Sequence, residues 1–138
     1  MKQILQNFNT GELTVEDVPV PIAPQGSVLV QNRCSVISAG TERATVTMGQ
    51  ASLLQKAKKR PELIQQVIAN LRKDGIFSTV RKVQTKLNTP KALGYSCAGI
   101  CLSSRDFDSR FREGDRVACA GQDYASHAEI VAVPQNLT

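Results

Sequence analysis

Along residues 2–47 apolar and polar positions alternate with the period of two that a half-buried strand requires, interrupted by turn residues. Lys2-Gln3-Ile4-Leu5-Gln6 is a short strand candidate, and Gly11-Glu12-Leu13-Thr14-Val15-Glu16-Asp17-Val18-Pro19 alternates along its length. Pro19, Pro21 and Pro24 cannot donate to a central ladder, so they belong to an edge or a loop. Ser27-Val28-Leu29-Val30-Gln31-Asn32-Arg33-Cys34-Ser35-Val36-Ile37-Ser38 is the best strand in the chain, with Val28, Val30 and Asn32 on one face and Leu29, Gln31 and Arg33 on the other.

Over residues 51–88 the period changes. From Pro61 to Gly75 apolar residues recur at 63, 64, 67, 68 and 71, a single helical stripe. Pro61 suits the first turn, Arg72 and Lys73 the last, and Gly75 a left-handed stop. A second helix follows with Phe77, Val80, Val83 and Leu87 on its inner side, ending before Pro90, and a shorter one is expected around Ser52–Lys59. Strands return over 92–137: Ala98-Gly99-Ile100-Cys101-Leu102, then Arg116-Val117-Ala118-Cys119-Ala120 after a Gly114-Asp115 turn, then His127 to Val133. The expected fold is therefore mainly β with a helical hairpin inserted at about 51–88.

At 138 residues the chain is one domain's worth, long enough to bury a core. No apolar run approaches the roughly 18 residues of a membrane span, and residues 1–7 lack the features of a secretory signal, so a cytoplasmic protein without membrane contact is expected. The net charge of +5 is unevenly placed: residues 51–91 hold ten basic residues against Glu62 and Asp74, a local +8, and the remainder carries −3. No aromatics interleave those charges for base stacking, so the basic stripe reads as a solvated helix face and nucleic acid is not an expected partner. Cys34, Cys97, Cys101 and Cys119 lie in apolar, strand-like stretches without zinc-finger spacing, which points to buried or semi-buried thiols.

Three segments carry chemistry in a telling order. Leu93-Gly94-Tyr95-Ser96-Cys97-Ala98-Gly99-Ile100 is followed by Phe111-Arg112-Glu113-Gly114-Asp115-Arg116-Val117, and that by Tyr124-Ala125-Ser126-His127-Ala128-Glu129-Ile130-Val131-Ala132-Val133-Pro134. The order resembles the N-terminal, GroES-like domain of the medium-chain dehydrogenase/reductase superfamily, whose usual forms are G-H-E-x-x-G, K-x-G-D-R-V and G-x-[YF]-A-E-Y-x-x-V-P. The match covers residues 1–47 and 92–138. It implies a partly open β-barrel, a single domain over 1–138, and a nucleotide-binding Rossmann domain expected downstream, where NAD or NADP would be held.

The departures from the pattern define the chemistry the resemblance implies. Where zinc-dependent members have C-G-x-D, this chain has Ala39-Gly40-Thr41-Glu42, and where they have G-H-E it has Gly94-Tyr95-Ser96. Alanine offers no donor atom and the imidazole is gone, so two customary ligand places of a catalytic zinc fail and no metal is expected. Thr41 keeps the hydroxyl that relays the substrate proton in zinc alcohol dehydrogenases; it also suits a helix cap together with Glu42. Tyr95, at the vacated histidine place, would polarise a carbonyl by donating its phenol hydrogen, or else packs on the core with its hydroxyl outward. By the same carry-over Ser38, Glu42 and Ser96 would contact substrate and Gly40 the cofactor. His127, the sole histidine, has no Cys, Asp or second His near it in sequence and reads as structural or solvent-exposed.

The wording Ser38-Ala39-Gly40-Thr41-Glu42-Arg43 and the basic insert narrow the resemblance to a zinc-free branch with bacteriochlorophyllide-type dehydrogenases and two-part bacterial oxidoreductases. The expected function is the substrate-side half of a zinc-independent NAD(P)-dependent oxidoreductase for a small carbonyl or alcohol, with a sugar-related substrate in view and no activity of its own. The competing reading is a non-catalytic interaction module, in which the insert docks on a second copy of the chain or on the Rossmann domain.

Overall fold

The computed structural model describes residues 1–52, 55, 58, 61–106 and 109–138. Among the described residues the named elements follow in order: β1 (Lys2–Gln6), β2 (Leu13–Asp17), β3 (Ser27–Ser35), α1 (Ala39–Gln50), α2 (Pro61–Asp74), α3 (Ile76–Asn88), β4 (Lys91–Ala92), β5 (Ser96–Ser104), β6 (Arg116–Ala120) and β7 (Ile130–Pro134), with a final 3-10 turn at Gln135–Leu137. The strands form a three-stranded sheet in the order β2-β1-β4 and a four-stranded sheet in the order β6-β5-β3-β7, neither closed on itself. This is the partly open β architecture expected from the sequence. The chain separates into two compact units, one of Met1–Leu5, Thr14–Glu42 and Ala92–Thr138, the other of Gln6–Leu13 and Arg43–Lys91.

In the first unit, β3 lies centrally, antiparallel to both β5 and β7. Its alternation works as read: Val28 and Val30 are fully buried, and Val28 faces Val133 while Val30 faces Val131 across the β7 ladder. β5, β6 and β7 alternate buried and more exposed positions, as strands with one covered face must. The resulting core is Val28, Val30, Cys97, Cys101, Val117, Cys119, Ala125, Val131 and Val133, with Phe111, Ala128 and Leu137 packed on it. Three of the four thiols therefore behave as small hydrophobes. Cys34 does not: β3 leaves the sheet's covered region after Asn32, and Cys34 is exposed. At the Gly114 turn the Arg112 N–H donates to Asp115 Oδ2 at 2.8 Å, the structural role that turn chemistry assigns to this aspartate.

In the second unit, α2 and α3 are separated by Gly75 alone, whose φ of +80° makes the left-handed stop anticipated there. The inner face of α3 differs from the expectation. Thr79 is buried and Val83 and Leu87 are half-buried, one turn apart, while Phe77 is 93% exposed. At 100° per residue Phe77 lies about a third of a turn off the centre of that stripe. The short helix expected over 52–59 falls largely outside the described residues.

α1 was not legible as a helix. Thr41, Thr45, Val46 and Thr47 are β-branched, and Gly40 and Gly49 are poor helix formers. It forms because Ser38 caps it: the Thr41 N–H donates to Ser38 Oγ at 3.4 Å, and Ser38 N–H donates back to Glu42 Oε1 at 3.3 Å. Further along, fully buried Gln6 donates from Nε2 to the Val46 carbonyl at 3.1 Å.

Candidate functional site

The residues singled out from the sequence gather at two neighbouring segments of the first unit. One is the exit of β3 into the first turn of α1, holding Ser38, Gly40, Thr41 and Glu42. The other is the entry to β5, holding Tyr95 and Ser96. The two are joined by backbone, since Val36 N–H donates to the Ser96 carbonyl at 3.0 Å, while Gly121 N–H, just after β6, donates to the Tyr95 carbonyl at 2.8 Å. Thr41 and Gly40 are exposed, Tyr95, Ser96, Ser38 and Glu42 half-buried. The cap of α1 is Ser38, so Thr41 does not cap the helix itself and sits three residues into it.

His127 is the hub the linear reading missed. It is neither exposed nor isolated: its ring is buried, Nδ1 lies 2.8 Å from Ser35 Oγ, and Nε2 lies 3.2 Å from Glu42 Oε2. Its backbone is held on both sides, His127 N–H donating to the Leu93 carbonyl at 2.7 Å and Ile4 N–H to the His127 carbonyl at 2.9 Å. Asn32 Nδ2 donates to the carbonyls of Ser126 at 3.2 Å and Ala128 at 2.7 Å, fixing the residues on either side of it. The imidazole rests on Gly94, whose φ is +95°; a Cβ there would stand 2.7 Å from His127 N and 3.0 Å from two ring carbons. The glycine of the Gly94-Tyr95-Ser96 motif is thus the seat of the histidine. Nothing in sequence could reveal this, because Ser35, Glu42, Gly94 and His127 are brought together only by the β3–β5 pairing and the loop before β7.

Both carboxylate oxygens of Glu42 are engaged, Oε1 by the Ser38 amide and Oε2 by His127. Beside Ser35 opens a groove of about 300 Å³ walled by Lys2, Gln3, Asn32, Arg33, Ser35 and His127, among others. Thr41 and Tyr95 are not among its walls.

Ala39 has no ligating atom, and among the described residues no group of three or more His, Cys, Asp or Glu converges to hold a metal ion. At Gly40, by contrast, an added Cβ would meet nothing within 4 Å, which leaves open space at the helix N-terminus for a ligand to approach the backbone.

No protein-family model matches the chain, and no curated protein matches it. Solved structures do. A probable oxidoreductase from Mycobacterium abscessus superposes with a TM-score of 0.61 at 21% identity, over 99% of this chain and 33% of that one. An alcohol dehydrogenase superfamily protein from Novosphingobium aromaticivorans gives 0.61 at 20%, again over 99% and 33%. The quinone oxidoreductase from Thermus thermophilus, solved also in complex with NADPH, gives 0.54 at 18%, over 99% and 31%. The chain spans about a third of the length of these structures. Its fold is that of the third of each of these structures that it covers. Among the described residues no helix is long and apolar enough to cross a membrane.

Proposed function

We propose that the chain is the substrate-side domain of a zinc-independent, NAD(P)-dependent oxidoreductase of the cytoplasm acting on a small carbonyl or alcohol, and that it does not turn over without a nucleotide-binding domain. The observation that carries this reading is the full-length likeness of fold to oxidoreductases of which it spans a third. The NADPH complex of one such neighbour supports a nicotinamide cofactor. Hydride chemistry belongs to that cofactor, and the protein supplies position and electrostatics.

In this reading Gly40 admits the cofactor to the backbone at the start of α1. Ser38, Glu42 and Ser96 shape the substrate side, Ser38 and Glu42 through the cap they build. Thr41 and Tyr95 present a hydroxyl and a phenol where zinc-dependent relatives place metal chemistry, each a hydrogen-bond donor to a substrate oxygen. The test is a fluorescence titration of NADH and NADPH into the 138-residue chain and into the complete gene product. Binding confined to the complete product, with Thr41→Ala and Tyr95→Phe each lowering kcat there about tenfold or more, is the expected result. A complete product that binds neither nucleotide removes the reading.

A second reading has its own support: α3 leaves Ile76, Phe77 and Val80 exposed in a row. On that reading the insert is a contact surface for a second copy of the chain.

A further inference from the structure

We infer that Ser35, His127 and Glu42 form a base-activated hydroxyl that takes the proton of an alcohol bound in the groove beside Ser35. The partners assign the ring hydrogens. A carboxylate only accepts, so His127 Nε2 carries the hydrogen that it donates to Glu42 Oε2 at 3.2 Å. In the neutral ring Nδ1 is then the lone pair, and the Ser35 hydroxyl donates to it at 2.8 Å. A hydroxyl, a base within hydrogen-bond reach and a third group orienting that base is the arrangement that activates a serine oxygen.

The surroundings sharpen this. His127 is 8% exposed and pinned against Gly94, so its ring has little freedom to turn. Ser35 is exposed and stands on the wall of the groove. Arg33, at the bulge of β3 just before it, lines the groove with it and makes no ion pair among the described residues, so its guanidinium suits a developing oxyanion.

The step moves protons only. The ligand O–H breaks as its proton passes to Ser35 Oγ, and the Ser35 O–H breaks as its proton passes to His127 Nδ1. The ligand is left as an alkoxide, Ser35 regains its hydroxyl, and the imidazolium is paired with Glu42. The ligand class is a small alcohol that fits about 300 Å³. The groove is not walled by Thr41 or Tyr95, so this hydroxyl is a site of its own beside the oxidoreductase reading, and its activation needs no cofactor.

That separation decides the test. The full chain is treated with phenylmethanesulfonyl fluoride, whose sulfur accepts the serine oxygen while fluoride leaves and the hydroxyl proton goes to His127, and adducts are located by mass spectrometry. Ser35 is expected to react at least about tenfold faster than the exposed Ser103, and His127→Gln and Glu42→Gln each to slow it about tenfold with unchanged circular dichroism. Should His127→Gln not fold, Glu42→Gln carries the comparison, with ring-nitrogen NMR of the sole histidine expected to show the Nε2–H tautomer in the unaltered chain. Ser35 reacting no faster than Ser103, or reacting equally fast with Glu42→Gln, overturns the inference.

Discussion

Gly94 and Gly40 show how much a single Cβ weighs at this site. At Gly94 an alanine would combine a left-handed φ with a clash against the backbone nitrogen of His127. We expect Gly94→Ala to cost about 2–4 kcal/mol, strain and overpacking together, measured by urea unfolding. At Gly40 the same change meets open space within α1 and should stabilise the chain by about 0.5–1 kcal/mol. If Gly40→Ala stabilises the protein yet weakens nicotinamide binding in the complete gene product, the glycine is there for the ligand. If binding is untouched, its place in the motif has another cause.

At the scale of elements, β5 and β6 present a thiol pair whose behaviour follows from their register. Cys97 and Cys119 are direct cross-strand partners, both buried. Cys97 donates to Cys119, which lowers Cys119 to about 7, while that same bond and burial hold Cys97 well above the usual thiol range. Burial, with Asp115 and Glu113 nearby, also raises Cys101. The lowered Cys119 contributes stability that is present above the ordinary thiol value and is lost as pH falls through about 7. Cys97 and Cys101 act oppositely: above about pH 8.5 an unfolded chain sheds protons that the native one keeps, so stability falls. Thermal unfolding should therefore show a midpoint that rises from pH 7 towards 8.5 and then drops, and Cys97→Ala should flatten the rising limb. Reagent access is a separate matter. Ellman's reagent should titrate Cys34 alone in the native chain and all four thiols once it is unfolded; two or more fast native thiols would contradict the packing of β5 against β6.

For the whole molecule, the competing readings differ in what they require of the insert. Phe77 is 93% exposed, so Phe77→Asp should change stability by less than about 0.5 kcal/mol. If the insert is a contact surface, light scattering will show the unaltered chain associating as its concentration rises, and Phe77→Asp will abolish this. A chain that stays monomeric at high concentration leaves the substrate-side reading without its rival.

Much of the scaffold was legible because its determinants are local. Val28 and Val30 fell on the covered face of β3 as their period of two demanded, and Gly75 stopped a helix because only glycine takes that backbone cheaply. The Gly114-Asp115 turn and the ordered motifs over 93–134 led to the fold that the solved structures share. α1 was hidden, since its β-branched and glycine residues argue against a helix and its stability comes from the Ser38–Glu42 cap and from contact with Gln6. Phe77 was misplaced because a stripe of apolar residues does not say which part of it a partner will cover. The pairing of Ser35 and Glu42 with His127 was beyond any reading of the chain. His127 lies 92 residues from Ser35 and 85 from Glu42, and no local propensity records that separation. The sequence by itself determined the strands and the turns, because those depend on one residue and its near neighbours. Only the tertiary structure decided which hydroxyl, which carboxylate and which imidazole meet, because that depends on the register of β3 against β5 and on the space that Gly94 leaves empty.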